Sequence, residues 1–563
     1  MFRQFEEASP FLFGPNPCWE PRYRQIRDLK YLFQPVAPVN FPFSGVFPIA
    51  KANQHIVDGL PPRACVEALV ECYFRTFEVT HRLLHPTQFR DELHEFWDNP
   101  EATSQGWLAQ LCMMLALGCQ SAPAYTFRGT GRDHQGWIEL LLDAAQFCFA
   151  FSPYFMSPDL TALRTLCMTV IAHMTENVKG SRPDQLVSLM GFLSRMAMTM
   201  QLHRTSTVFQ DMTLFEAEMR KRIWVTIQLL EVDVAMRTGT SYICTDQDAD
   251  TPLNLNDTSL HRSECGEWIV DAIWETPQEF TDSSFQVRLA EALPLLVEII
   301  NSVNSPTQNT VDYNKVMIWD AQLYHHLKTA ENTLSSAGTN RRDRVENANL
   351  QLQFFSLLIH RTLLGLHHAY ACAPQMDSFR LSRVTVIKSS LALLKLQHIW
   401  NTSVPGYMRS SSPLGRATAD APKPNDWLID LCHDDFGTAM LYIVLGLRHF
   451  EFDAHAGAEH IPTSEVANAI LQRSLALLRD RACRSEAHFK VFVGLSIVDA
   501  CLQCLKSDDL VLPTVMTVAD QIEHTILTRK QSLLWATPDL MVPPGVSPES
   551  LLGLDSDVLP AFS

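Results

Sequence analysis

Glycine is scarce in this chain: it accounts for 22 of 563 residues, or 3.9%, against about 7% in an average protein. Tightly connected sheets need glycine at many of their turns, so the scarcity argues against a turn-rich β fold. The 32 prolines fall mostly in clusters between long aliphatic stretches. These features predict an all-α fold built from long helices.

Positive charge is also in deficit, with 45 basic residues against 62 acidic ones and a net charge of −17. A chain of this charge repels the phosphates of nucleic acid unless it carries a local basic module. The longest run of Lys and Arg is three residues, at 220–222. We therefore expect this chain to contact DNA only indirectly.

Long hydrophobic runs are missing as well. The longest uncharged run, residues 102–127, is interrupted by Gln and Pro and predicts a buried helix followed by a loop. The first ten residues carry Glu6 and Glu7 where a secretory signal has a basic region and an apolar core. Most of the 14 cysteines sit in apolar stretches, as expected for reduced core residues. We expect an intracellular protein with no membrane partner.

Composition changes divide the chain into four parts. The first is a Phe/Pro-rich arm without a helical period, and the last is an acidic, Pro-punctuated tail. Between them lie two helical blocks, the second of which contains a Pro/Ser/Gly-rich loop. The predicted boundaries are 1–59 for the arm, 60–300 for the core, 301–535 for the C-terminal helical part with its loop at 403–426, and 536–563 for the tail.

One helix is predicted in detail, over residues 213–237. Thr213 and Glu216 form a capping box, and Gly239 stands where the chain must leave the helix. Its apolar residues recur every three or four positions, at Phe215, Met219, Ile223, Ile227, Leu230 and Val234. The basic run in its middle is interpreted as a solvated face balanced by Glu216, Glu218 and Glu231.

Metal-binding patterns are weak, and no metal ligand is predicted. The CxxC pair of Cys501 and Cys504 has no second pair nearby and is interpreted as part of an apolar seam. His81 and His85 have the i, i+4 spacing of a metal site but lack an HExxH motif. Residues 246–257 imitate a calcium loop, yet Thr251 stands where such a loop requires Gly.

Enzyme signatures are absent too, so no catalytic or cofactor-binding residue is predicted. Residues 128–132 (RGTGR) lack the third glycine of a dinucleotide loop and are interpreted as a turn. The chain has no GxxxxGK[ST], GxSxG or kinase motif. The pair Asp434 and Asp435 begins no DDxxD motif and is interpreted as two acids at a helix start.

Several segments occur in the order typical of a known family. LSRMAMTMQLHR (193–204), FEAEMRKRIW (215–224) and DQDADTPLNLND (246–257) resemble the middle-homology, or fungal-specific transcription factor, domain. LPPRACVEALVECYFRTFEVTHRLLHPTQF (60–89) resembles the opening of that domain, where a Tyr-Phe helix leads into a His-Pro-Thr-x-Phe turn. Departures include Val225 in place of a second aromatic and Gly239-Thr-Ser in place of Gly-Arg-Pro.

The resemblance implies an all-α regulatory domain of a transcriptional regulator in the nucleus, of the kind that controls fungal metabolic, including secondary-metabolite, gene clusters. The domain normally follows a binuclear zinc cluster, but only Cys18 precedes residue 60, so zinc is expected only if a missing N-terminal cluster exists. The implied partners are a DNA-binding transcription factor or a dimer partner, a coactivator bound by the tail, and a small-molecule effector. The alternative is a helical small-molecule-binding protein or enzyme on the same scaffold.

Overall fold

The structure is a computed structural model of the chain. The chain divides into two compact units, one comprising Val39–Tyr442 and the other Met1–Pro38 together with Ile443–Ser563. The residues that the structure describes are 8–12, 19–29, 52–175, 183–205, 212–244, 248–263, 267–270, 279–305, 311–335, 342–373, 378–402, 425–449, 452, 461–482, 486–507 and 511–535.

The larger unit is built from helices, which confirms the predicted all-α fold. A helix His433–Arg448 begins in this unit. The other helices are Ala52–Gly59, Arg63–Phe74, Phe77–His81, Pro86–Asp98, Gln105–Cys119, His134–Phe151, Leu160–Met174, Pro183–Thr199, Leu214–Thr238, Ser284–Val303, Tyr313–Leu334, Arg342–Ala371, Arg380–Thr402 and Asp426–Leu431.

The helix predicted over residues 213–237 is present as Leu214–Thr238. The Thr213 side chain accepts a hydrogen bond from the Glu216 backbone N–H at 3.2 Å, which satisfies one of the free donors of the first turn. Gly239 ends the helix with φ 68°, in the left-handed region that only glycine enters without strain. Ile223 and Ile227 are fully buried, as their spacing predicts.

The helix Gln105–Cys119 is buried over residues 108–119 and packs on the helices Arg63–Phe74, His134–Phe151 and Leu160–Met174. Gly118 makes the first of these contacts possible, because a Cβ there would lie 2.3 Å from the Leu69 carbonyl oxygen. The predicted buried helix within 102–127 is thereby confirmed. In the described part of the chain, no helix combines the length and the apolar character needed to cross a membrane.

A two-stranded antiparallel ribbon interrupts the helices of the larger unit. Its strands are Leu260–Arg262 and Trp268–Val270, with Leu260 opposite Val270. The Trp268 ring stacks on Phe215 at 4.1 Å between ring centres. The ribbon therefore covers the first turn of the helix Leu214–Thr238.

The second unit joins the beginning of the chain to its last helices. Its described helices are Ser9–Leu12, Glu20–Asp28, Ser464–Arg481, Glu486–Ser507 and Val511–Trp535. Trp19 is buried and donates to the Phe11 carbonyl oxygen at 2.7 Å, and Arg22 pairs with Asp520 at 2.6 Å. The predicted arm is thus partly helical where it is described, because a few aromatic and charged anchors tie short helices to a larger surface.

Several predictions concern residues outside the described part of the chain. They are Asp246 of the calcium-like segment, most of the loop at 403–426 and the whole tail at 536–563. The helix Asp426–Leu431 begins where the loop was predicted to end. The other boundaries of the four-part division stay predictions.

Candidate functional site

Three sequence motifs that are far apart in the chain meet at Asp257. The Asp257 carboxylate accepts hydrogen bonds from the guanidinium groups of Arg82 and Arg222, the second at 3.0 Å between Nη1 and Oδ1. The Asp257 carbonyl oxygen accepts from Nε2 of His85 at 3.1 Å. The other His85 ring nitrogen accepts from the Gln88 backbone N–H, so this histidine caps the helix Pro86–Asp98. One aspartate therefore links the His-Pro turn to the basic helix.

The basic run of the helix Leu214–Thr238 is not a solvated face, and that prediction is wrong. Arg222 is fully buried, and its Nε donates to Glu218 at 3.2 Å. Glu218 also accepts from the Leu253 backbone N–H at 3.1 Å. Glu231, the other buried acid of the predicted face, accepts from the Ile243 N–H at 2.5 Å. The face is covered because the chain after the helix returns along it, which a helical period does not reveal.

The two carboxyl groups beside Arg82 have opposite pKa shifts. Burial raises the pKa of Glu78 to about 8, although Arg82 and a hydrogen bond from the Leu84 backbone N–H act against it. Burial also opposes ionisation of Asp257, but Arg82 and Arg222 outweigh it and lower its pKa to about 2. At neutral pH Asp257 is therefore ionised while Glu78 is mostly protonated.

Arg82 holds an unusual backbone conformation at the end of the short helix Phe77–His81. Its φ of 43° and ψ of 50° lie in the left-handed region, which costs a residue with a side chain about 1 kcal/mol or more. The preceding His81 carbonyl accepts from the Thr226 hydroxyl, and the guanidinium is held by Asp257. The surrounding contacts hold this strained residue in place and aim its side chain inward.

A cavity of about 490 Å³ borders this ion network; we call it the Glu78 cavity. Glu78 Oε2, Gln351 Oε1, Arg82 Nε and Trp427 Nε1 all belong to buried residues that line it. Among the described residues none of these four atoms has a partner in good hydrogen-bond geometry, although the Tyr73 hydroxyl acts on Glu78. Gln351 is oriented by its own amide, which donates to the Val79 carbonyl oxygen at 3.0 Å. Such an arrangement can accept a polar ligand.

Sequence reasoning missed the residues of this site. Arg222 and Glu218 stand one position before the apolar residues Ile223 and Met219, so they border the apolar stripe. That position, combined with their i, i+4 spacing, is the signal that could have identified a buried pair. No local pattern marks Glu78, whose environment depends on Gln351, 273 positions further along the chain.

A second ion cluster fixes the start of the helix His433–Arg448 within the larger unit. Arg361 pairs with Asp233 and, at 2.7 Å, with Asp435. Arg237 pairs with Asp434 at 3.1 Å and donates to the Leu431 carbonyl oxygen. The two acids do stand at a helix start, as predicted, but their pairing with Arg361 and Arg237 could not be read from the sequence.

One described arrangement imitates a catalytic triad. His367 Nε2 lies 3.0 Å from Asp320 Oδ1, and His367 Nδ1 lies 2.9 Å from Ser382 Oγ. His367 and Ser382 have no exposed surface, so no substrate carbonyl can reach the hydroxyl. The three side chains instead connect the helices Tyr313–Leu334, Arg342–Ala371 and Arg380–Thr402.

The residues of the weak metal-binding patterns pack against or hydrogen-bond to other residues of the chain where the structure describes them. Cys501 and Cys504 are buried in the helix Glu486–Ser507, as the apolar-seam interpretation predicts. His81 contacts Thr80 Oγ1 at 2.9 Å through Nδ1, and His85 caps a helix. In the calcium-like segment, Asp250 accepts from the Thr205 hydroxyl at 2.9 Å. The absence of a bound metal stays a prediction.

The comparisons with known proteins agree with the motifs. A profile described as the fungal specific transcription factor domain matches residues 70–346. "Transcription factor opdR" of Penicillium oxalicum is 26% identical over 345 residues, which cover 60% of this chain and 42% of that protein. "Equisetin cluster transcription factor eqxF" of Fusarium heterosporum is 25% identical over 62% of this chain and 50% of its own length.

"Zn(2)-C6 fungal-type transcription factor pigI" of Monascus ruber is 24% identical, with 63% of this chain and 43% of that protein aligned. This chain thus spans half or less of the length of these three relatives. The residues at which the three motifs meet, Arg82, His85, Arg222 and Asp257, all lie inside the matched residues. Residues 70–346 are therefore a fungal specific transcription factor domain, the family that the order of the motifs predicts.

Proposed function

We propose that this chain is a transcriptional regulator of a fungal secondary-metabolite gene cluster and that it acts in the nucleus through its regulatory domain. The observation that carries the proposal is the match at residues 70–346, within which the motif segments meet in one buried ion network. Relatives named for the equisetin cluster and for zinc-cluster transcription factors support the same role.

The charge of the chain shapes how it would reach its target genes. A net charge of −17 opposes contact with DNA phosphates. We therefore propose that this chain contacts DNA indirectly, through a DNA-binding transcription factor or a dimer partner. The acidic residues 536–563 carry interspersed Leu and Phe, a composition suited to binding a coactivator groove.

The test is a deletion of the coding sequence in the fungus that carries it, followed by transcript measurement for the neighbouring biosynthetic genes. We expect their transcripts to change several-fold and to be restored by the wild-type chain. Asp257→Asn, which removes the charge shared by Arg82 and Arg222, should fail to restore them. Glu95→Gln changes an exposed acid of the same domain and should restore them fully. Unchanged transcripts in the deletion strain would refute the proposal.

A further inference from the structure

The Glu78 cavity has the size of a small-molecule site. Its 490 Å³ falls within the range of about 300–1,000 Å³ that is typical of ligand pockets. One wall comes from residues 71–90, a second from the start of the helix Arg342–Ala371, and a third from Trp400 and residues 425–428. All of these residues belong to the larger unit.

The lining has an excess of negative charge. Arg82 is occupied by Asp257, and Arg90 pairs with Glu71 at 2.8 Å. Apart from these two, Arg75 is the remaining arginine of the lining. The lining acids number five: Glu71, Asp257, Asp343 and Glu346, together with Glu78, which adds its negative charge only after it loses its proton.

The buried donors and acceptors of the lining that lack partners indicate which hydrogen-bonding groups the ligand must carry. Gln351 Oε1 is a buried acceptor without a donor among the described residues. The Tyr73 hydroxyl acts on Glu78 as a hydrogen-bond donor, but its geometry is too poor to satisfy Glu78 Oε2, and a buried acceptor left unsatisfied is costly. A ligand with several N–H groups would satisfy both. Trp427 Nε1 and Arg82 Nε are buried donors without an acceptor, which a hydroxyl group on the ligand would satisfy. Trp400, Trp427 and Phe74 provide aromatic walls for an apolar body and for a cation.

We propose that the Glu78 cavity binds a small organic ammonium ion with a hydroxylated aromatic or aliphatic body, whose N–H groups donate to Glu78 and Gln351. The inference goes beyond the proposed function, because ligand binding to the purified chain does not depend on any role in transcription. The inference names the chemical class of the ligand of this cavity and does not concern the genes that the chain controls.

Binding of such a cation is coupled to a proton. The groups that act on Glu78 are Tyr73 of the helix Arg63–Phe74, Arg164 of the helix Leu160–Met174, Arg82 and Asp257. With its pKa raised to about 8, Glu78 must lose its proton before it can pair with an ammonium group. Affinity therefore rises with pH, by about eightfold between pH 7 and pH 8.5. At pH 7 binding releases about one proton.

The experiment is isothermal titration of the full 563-residue chain with three probes that share one body. Tyramine carries an ammonium group, tyrosol a hydroxyl group and 4-hydroxyphenylacetate a carboxylate. We expect tyramine to bind at least about tenfold more tightly than either analogue. We also expect its affinity to rise from pH 7 to pH 8.5, and proton release to be visible in two buffers of different ionisation enthalpy.

Two variants complete the experiment. Glu78→Gln imitates the protonated carboxyl and should weaken tyramine binding at pH 8.5 by about tenfold or more and abolish its pH dependence. Glu95→Gln removes an exposed acid outside the cavity and should bind as the wild type does. Tyramine that binds no better than tyrosol to the wild-type chain would overturn the proposal. Equal binding and equal pH dependence in Glu78→Gln would overturn it as well.

Discussion

At the residue scale, Glu78 and Asp257 show how one buried arginine can have neighbours in opposite protonation states. Both carboxyl groups lie near Arg82, but Asp257 has a second guanidinium, that of Arg222. One cation does not offset the loss of hydration at Glu78, whereas two do so at Asp257. A second arginine, together with the partial exposure of the Asp257 side chain, therefore keeps Asp257 ionised while Glu78 stays mostly protonated at neutral pH.

The raised pKa of Glu78 makes stability depend on pH in a defined direction. Between about pH 4.5 and pH 8 the folded chain keeps a proton on Glu78 that the unfolded chain has released. The free energy of unfolding therefore falls as pH rises through this window, by up to about 1.4 kcal/mol per pH unit. Glu78→Gln should remove this part of the slope, because glutamine has no proton to lose.

The measurement for Glu78→Gln is urea unfolding at pH 5, 6, 7 and 8, with Glu95→Gln as the control for changed net charge. As pH rises, the unfolding free energy of Glu78→Gln should increase relative to that of the wild type. A difference that stays constant with pH would show that Glu78 is ionised in the folded chain. The control should keep the wild-type slope.

At the scale of elements, the helix Leu214–Thr238 is buried along most of its length. Its buried Arg222 pairs with Glu218 and Asp257, so this charged residue stabilises the fold. Ile227→Asp should lower the free energy of unfolding by about 4 kcal/mol or more, because it places a charge in a fully buried position. Arg222→Ala should cost about 3–5 kcal/mol, since Glu218 and Asp257 lose their shared cation. Thermal and urea unfolding of the variants measure both effects.

Arg220 provides the comparison within the same basic run. It is half-buried, and its guanidinium donates to the Met200 carbonyl oxygen. Arg220→Ala should cost about 1 kcal/mol or less, because water can replace the lost hydrogen bond. A loss as large as that of Arg222→Ala would contradict the assignment of the two arginines to different environments.

Contact between the helices Arg63–Phe74 and Gln105–Cys119 gives a second prediction at this scale. In Gly118→Ala the new methyl group would meet the Leu69 carbonyl oxygen at 2.3 Å, so one helix must move. We expect a loss of about 1–3 kcal/mol. Gly365→Ala is the matched control, because no atom outside its own turn of helix lies within 4 Å of the new Cβ, and alanine favours the helix by up to about 1 kcal/mol. A larger loss of unfolding free energy in Gly365→Ala than in Gly118→Ala, measured by urea unfolding, would contradict the described contact.

At the scale of the whole molecule, the net charge of −17 predicts how the purified chain behaves towards DNA. In a gel-shift assay at physiological salt we expect the 563-residue chain alone to show no sequence-dependent binding to duplex DNA. If the proposed function holds, addition of the DNA-binding transcription factor that this chain pairs with should create a shifted band that contains both proteins. A specific shift by this chain alone would contradict the prediction, as would two stoichiometric zinc ions per chain.

The sequence by itself determined the elements whose signals are local. The caps and spacing of residues 213–239 were sufficient to predict one helix, its ends and its buried isoleucines, because a helix is stabilised by contacts within a few residues. The order of several motifs was likewise sufficient to predict the family. Only the tertiary structure decided which polar residues are buried together. Arg222 meets Asp257 35 positions away, and Gln351 reaches Val79 across 272 positions. The pKa of Glu78, and the cavity beside it, depend on desolvation by such distant segments, which no local pattern records.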